Sequence, residues 1–107
     1  MISDANDVCI EGVIVFDPDL KEFDGKKVIN FVIESTYRSA YGAVDPQLYD
    51  IAVWNNTADK YEEKIKKDVF VRVKGHLQAG KYKTDEKVIR TVKVCADNIQ
   101  FEEQDEE

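Results

Sequence analysis

The sequence predicts an all-β domain with one short helix, and three features support this fold class. The length of 107 residues suits one domain with a single core. Alternating polar and apolar residues recur in segments typical of strands, and helices do not alternate with these strands as a parallel sheet would require. The only helical pattern comes late, over residues 56–68.

Five segments have the alternation of strands. Three lie in the first half, over residues 8–16, 28–36 and 48–55, and two in the second half, over 69–77 and 88–96. Asp17-Pro18 predicts a turn after the first strand, and Asp24-Gly25 predicts a hairpin tip. In the fourth strand we expect Val69, Val71, Val73 and Leu77 to face the core while Phe70, Arg72, Lys74 and His76 face outward.

The helical pattern over residues 56–68 fits between the third and fourth strands. Asn56 or Thr57 can cap its start, and Ala58, Tyr61 and Ile65 share one face. This order of elements matches the five-stranded Greek-key barrel known as the OB-fold, whose helix normally follows the third strand. Other small barrels and α+β folds satisfy the same order.

The formal net charge of −7 is concentrated at the two ends of the chain. We divide the chain into a polar N-terminal tail (1–7), one domain (8–101) and a short acidic tail (102–107). The domain itself is balanced, with 15 acidic and 15 basic residues, and its second half is basic. The charge of the whole chain therefore does not exclude a polyanionic partner.

The cysteines, the apolar runs and the absence of catalytic motifs lead to expectations about the compartment and the chemistry of the protein. Cys9 and Cys95 lie in apolar runs without metal-ligand spacing, which predicts two buried, reduced thiols; a Cys9–Cys95 disulfide is the alternative. No apolar run approaches the roughly 20 residues needed to cross a membrane, and the polar start differs from a secretory signal. We expect a cytoplasmic protein without metal or cofactor, and no nucleophile or phosphate-loop motif indicates an enzyme.

Four segments resemble, in order and spacing, the bacterial single-stranded DNA-binding protein family. They are DPDLKEFDGKKVINFVIES, IAVWNNTADKYEEKIKKD, VFVRVKGHLQAGKY and VKVCADNIQF. The resemblance runs from about Val8 to Phe101. It implies an OB-fold that binds single-stranded DNA without catalysis and with little sequence preference, in DNA replication, recombination or repair. It further implies a nucleoid-associated homo-oligomer, a dimer or tetramer, that meets other replication or recombination proteins.

The resemblance also implies a set of base-stacking aromatics. Trp54 matches the family's aromatic at the end of the third strand, and Tyr82 matches the aromatic of the last hairpin. Tyr37 or Tyr41, which flank Arg38, could take the place of the aromatic after the second strand. Trp54 could instead cap the core of the barrel.

The stretch GKYKT, residues 80–84, has a physical logic of its own. Tyr82 offers a flat face on which any base can stack, while Lys81 and Lys83 offer cations for phosphates. Arg72, Lys74 and His76 would continue a basic track, together with Arg90 and Lys93. His76 has no partner evident in the sequence.

One alternative function comes from another class. The aromatics could form a subunit interface, which would make the barrel a protein-interaction or primosome accessory module. Typical family members continue into a Gly/Pro/Gln-rich linker and an acidic tip, closing on a Pro-Phe pair, that recruits other proteins. Residues 102–107 are acidic but show no such linker and no terminal apolar residue. A short form of the family, or a relative of primosomal replication protein B, fits this departure.

Overall fold

The computed structural model describes residues 5–42 and 44–102, except the side chain of Tyr37. Within this part of the chain there are six strands and one helix, and no helix is long and apolar enough to cross a membrane. The elements are β1 (Val8–Ile14), β2 (Asp19–Phe23), β3 (Lys26–Arg38), β4 (Val44–Trp54), α1 (Asn55–Tyr61), β5 (Phe70–Lys83) and β6 (Val88–Phe101).

Five of the strands close into a ring. β1 pairs antiparallel with β5, β5 with β6, β4 with β3, and β3 with β1, whereas β4 and β6 pair in parallel. β2 pairs with β3 alone through the predicted hairpin, with Asp24-Gly25 at its tip. The predicted all-β class with one short helix is confirmed.

The ring closes at Gly12, where β1 leaves β5 and joins β3. Val13 lies opposite both Phe70 of β5 and Glu34 of β3. A Cβ on Gly12 would lie 2.3 Å from the carbonyl oxygen of Glu34, well inside van der Waals contact. Only glycine lets the two backbones come this close.

A second close backbone approach lies at Gly75, beside a β-bulge. Lys74 is opposite Asn98 and Gly75 is opposite Ala96, so Asp97 is the extra residue. A Cβ on Gly75 would lie 1.9 Å from the carbonyl oxygen of Cys95. Bulges bend a strand pair, and this one lies where the β5–β6 hairpin leaves the ring.

The core fills the ring and extends under α1. Its most deeply buried side chains are Ile14, Ile33, Ile51, Val53, Val71 and Val73. Ala58, Tyr61 and Ile65 are buried together as predicted, but only Ala58 and Tyr61 belong to the helix, because Ile65 lies beyond its end. Leu77 is 46% exposed, so its predicted core position is wrong. The reason is that β1 begins at Val8, opposite Gly75, so it does not extend alongside Leu77. On that side the Asn6 side-chain amide bonds to the Leu77 backbone at 2.9 and 3.0 Å.

The helix is shorter than predicted and begins differently. α1 ends at Tyr61. The chain then returns to β1, where Asp68 N donates to Ile14 O at 2.7 Å and Ile14 N donates to Val69 O at 2.9 Å. The N-cap residue is Trp54, with no side-chain cap, so the predicted cap at Asn56 or Thr57 is wrong.

Two long hairpins extend beyond the ring. We call residues 34–48 the β3–β4 arm and residues 77–94 the β5–β6 arm. The radius of gyration is 15.6 Å, compared with about 13 Å for a compact chain of this length. The two arms account for this difference.

Replacing Gly12 by alanine should destabilise the protein by about 3 kcal/mol or more, because the new Cβ meets backbone atoms that are held in the sheet. Urea denaturation gives the free energy of unfolding. Gly80→Ala is the matched control, since a Cβ there meets only the Thr91 hydroxyl, at 2.9 Å. Equal losses in the two variants would contradict the assigned role of Gly12.

Candidate nucleic-acid interface

Strand alternation gives the sheet a core face and an opposite face, which we call the outer face. Ile29 and Phe31 of β3 and Ile51 and Val53 of β4 are buried in the core. Their sequence neighbours therefore point the other way. The outer face carries Val28, Asn30, Val32, Asp50, Ala52 and Trp54, with Lys93 and Cys95 of β6 and His76, Gln78 and Tyr82 of β5.

Trp54 lies half-buried on the outer face, at the end of β4. Its ring meets Phe23 edge-to-face, with 6.3 Å between centroids and an interplanar angle of 80°. The side chain of Trp54 lies beside the thiol of Cys95 and acts to lower the pKa of that thiol. The Cys95 S–H in turn donates to Gln78 Oε1 at 2.7 Å. These contacts hold the ring in one orientation while part of it stays open to solvent.

Asn55, the residue after Trp54, is held in place by a hydrogen bond to β3. Asn55 has a φ of +50°, and its Oδ1 accepts the backbone N–H of Lys27 at 3.0 Å. The Lys27 ammonium pairs with Asp59, at 2.8 Å, and with Glu62. These hydrogen bonds to two carboxylates raise the pKa of Lys27. The start of β3 is thereby tied to α1 directly after Trp54.

Sequence reasoning missed Phe23. This side chain lies on β2 next to the Asp24-Gly25 turn and is 47% exposed, yet it packs against Trp54. The hairpin register, Phe23 opposite Lys26, brings it to the same face as Trp54. The signal in the sequence was an aromatic immediately before a two-residue turn, where a core position is not expected.

Tyr82 lies on the same face as Trp54 but far along the β5–β6 arm. Its ring is 53% exposed. It follows His76 and Gln78 at even spacing on β5, which keeps all three on one side. Tyr82 is part of the strand rather than of a hairpin tip, because the turn that joins β5 and β6 lies at residues 84–87.

The basic residues of the arm divide between its two sides. Lys81 and Lys83 alternate with Tyr82 and point to the opposite side, where Lys81 lies opposite Arg90. Lys93 lies opposite Gln78 on the outer face. The arm therefore carries cations on both sides of the ring of Tyr82.

The basic track predicted on the fourth strand is interrupted. Arg72 points outward as predicted, but its guanidinium bonds to Glu11 Oε2 at 3.1 and 3.2 Å. Lys74 lies opposite Cys9, near the start of β1. His76 lies beside Trp54 and has a partner that sequence reasoning did not find, Asp97 Oδ2 at 3.2 Å from its Nδ1.

The β3–β4 arm holds the remaining predicted residues. Alternation places Arg38 on the same side as Trp54, and it is exposed. Tyr41 lies in the turn of this arm and is 98% exposed. Tyr37 is in β3, opposite Asp45, and its side chain lies outside the described residues.

The two cysteines differ in their surroundings. Both thiols are free. Cys95 is buried as predicted, and burial raises the pKa of its thiol; the Asp97 carboxylate acts in the same direction, against Lys93 and the Trp54 side chain. Cys9 is exposed, so its predicted burial is wrong. Its neighbours in β1, Val8 and Ile10, pack against the core, so the side chain of Cys9 points away from the core.

We expect Cys9 to react quickly with a thiol-alkylating reagent near pH 8 and Cys95 to react slowly. Cys95 is buried, and its raised pKa leaves less thiolate to react. Peptide mapping by mass spectrometry follows each site, and the Cys9→Ser variant should retain only the slow reaction. Rapid modification of Cys95 in the folded Cys9→Ser variant would contradict the arrangement around Trp54.

Comparison with known proteins identifies the family and supports the fold. The model of the single-strand binding protein family matches residues 5–102. A solved structure described as a Plasmodium falciparum SSB complex with ssDNA superposes with a TM-score of 0.83 and 20% sequence identity, covering 96% of this chain and 99% of that chain. A comparison with curated protein sequences found no significant match.

Proposed function

Because the chain belongs to the single-strand binding protein family and binds single-stranded DNA, we propose that the strand lies on the outer face and runs from Trp54 towards Tyr82. One observation carries this proposal: two partly exposed aromatic rings, Trp54 at the end of β4 and Tyr82 in the β5–β6 arm, lie on the same face of one sheet. A path between them follows the outer face across β6.

Stacking explains why little sequence preference is expected. Every base has a flat face, so an aromatic ring accepts any of them, and each stacked base contributes about 1–3 kcal/mol. The edge-to-face contact leaves Phe23 beside Trp54 as a second apolar surface for the same nucleotide or the next one. We assign Phe23 to the interface for this reason.

Phosphate contacts come from cations around these rings. Lys93 lies on the outer face between β4 and β5, while Lys81, Lys83 and Arg90 reach the strand from the other side of the arm. Arg38 and Tyr41, with Tyr37 as a further candidate, would extend the surface along the β3–β4 arm. His76 would contact the DNA strand beside Trp54, and Lys74 would contact it at the edge of the outer face.

Arg72 has a smaller part in this proposal. Its charge is already paired with Glu11, on the side of β5 that joins β1. A phosphate would have to displace that carboxylate.

The wider role follows from this mode of binding. The protein would act without catalysis, in the cytoplasm and on the nucleoid, by coating strands exposed in DNA replication, recombination or repair. It would work as a homo-oligomer, a dimer or tetramer, and would meet replication or recombination proteins there. No metal or cofactor is required for stacking and ion pairing.

Tyr82→Ala should weaken binding of oligo-dT by about 5- to 100-fold, the loss expected for one stacked base. Tyr82→Phe keeps the ring and should bind nearly as well as the original chain. Fluorescence anisotropy of labelled oligo-dT gives both affinities.

The molecular mass of each variant, measured by light scattering, separates DNA contact from subunit contact. The mass should be unchanged in Tyr82→Ala. A changed mass with unchanged affinity per subunit would instead place Tyr82 in a protein interface.

A further inference from the structure

A groove crosses the outer face beside β4, and its lining mixes apolar and polar side chains. The apolar ones include Phe16, Phe31, Val32, Ile51 and Val92, and the polar ones are Asp17, Asp19, Asn30, Asp50, Thr91 and Lys93. Asp50 precedes Trp54 by four residues on the same side of β4, a separation of roughly 13 Å. A strand that stacks on Trp54 and continues along the outer face therefore passes this groove.

Two polar side chains in the groove have no partner among the described residues. Asp50 and Asn30 make no hydrogen bond or ion pair there. Asn30 lies opposite Ala52, and Asp50 lies opposite Val32, so the two are diagonal neighbours on one face, roughly 7–8 Å apart. The carboxylate of Asp19, by contrast, is paired with Lys21 at 3.5 Å.

The charge of this groove selects what can enter it. A carboxylate repels phosphate, so a strand crossing here would turn its bases towards Asp50 and its phosphates towards Lys93. On the parallel β4–β6 pair, Lys93 is at the level of Asp50, yet no ion pair joins them among the described residues. One groove thus offers an acceptor for a base and a cation for the adjoining phosphate.

The four bases differ in what they offer a carboxylate. Guanine presents two adjacent donors, N1–H and the 2-amino group, to the two oxygens of one carboxylate, and its O6 can accept from an amide such as that of Asn30. Cytosine and adenine present one amino group beside a ring nitrogen acceptor. Thymine presents N3–H between two carbonyl oxygens, which a carboxylate repels.

From this placement we infer that Asp50, assisted by Asn30, gives the interface a preference for guanine at one nucleotide position. The inference rests on the proposed function, because it requires the strand to cross the outer face. Stacking on the aromatic rings would still bind every base sequence. The preference for guanine would apply only to the nucleotide next to Asp50.

Binding of oligo-dT carrying a single central deoxyguanosine tests the inference directly. We expect it to bind about five- to tenfold tighter than oligo-dT, the lower part of the range for a bidentate base contact. Deoxyinosine at the same place lacks the 2-amino group and should lose most of the gain.

Two variants assign the effect to its residue. Asp50→Ala should abolish the preference for guanine while binding of plain oligo-dT is kept or strengthened. Asp45→Ala removes one exposed carboxylate from the opposite side of the same strand and should keep the preference.

Different results would contradict the guanine preference and the proposed function. Equal affinity of the original chain for the two oligonucleotides, or a preference that survives Asp50→Ala, would overturn the inference and leave the proposed function intact. No binding of oligo-dT at all would overturn the proposed function itself.

Discussion

Close contact between backbones at Gly12 and Gly75 determines how the rest of the chain can be arranged. At Gly12, β1 passes from β5 to β3 and closes the ring; at Gly75, a bulge redirects the β5–β6 hairpin. In both places a single methyl group would meet a carbonyl oxygen. Closure of the ring of strands encloses the core. The bulge directs the β5–β6 arm beyond the core, with Tyr82 on the outer face. The position of the interface therefore depends on two residues that have no side chain.

Charge is arranged locally in this protein, which explains how a chain of net charge −7 can bind a polyanion. Glu11 neutralises Arg72, and Asp59 and Glu62 neutralise Lys27, at sites where the charges support the fold. The lysines of the β5–β6 arm make no ion pair among the described residues and remain available to phosphates. In the proposed interface, the aromatic rings would then provide the contact that does not depend on base sequence. The affinity for single-stranded DNA should accordingly have two contributions, one from ion pairs that weakens as salt is added and one from base stacking.

Much of the fold could be predicted, because alternation and turn residues act locally. The strands, the Asp24-Gly25 hairpin and the buried face of Ala58, Tyr61 and Ile65 follow from that pattern. The exposure of Leu77 and Cys9 could not be predicted in this way, since it depends on where β1 begins and on which strand lies beside each residue. For the same reason the sequence showed Trp54 and Tyr82 but not Phe23, or the Asp97 partner of His76. Those contacts join residues distant in the chain and require the register of the sheet.

Trp54 is the only tryptophan of the chain, so its fluorescence reports on one place. The most direct measurement follows this emission and the anisotropy of labelled oligo-dT in the same titration, at low and moderate salt. If the strand lies on the outer face, quenching and anisotropy will saturate together, and both curves will shift to higher concentration as salt is added. A rise in anisotropy with no change in Trp54 emission would show that the strand binds elsewhere, and would contradict the central claim.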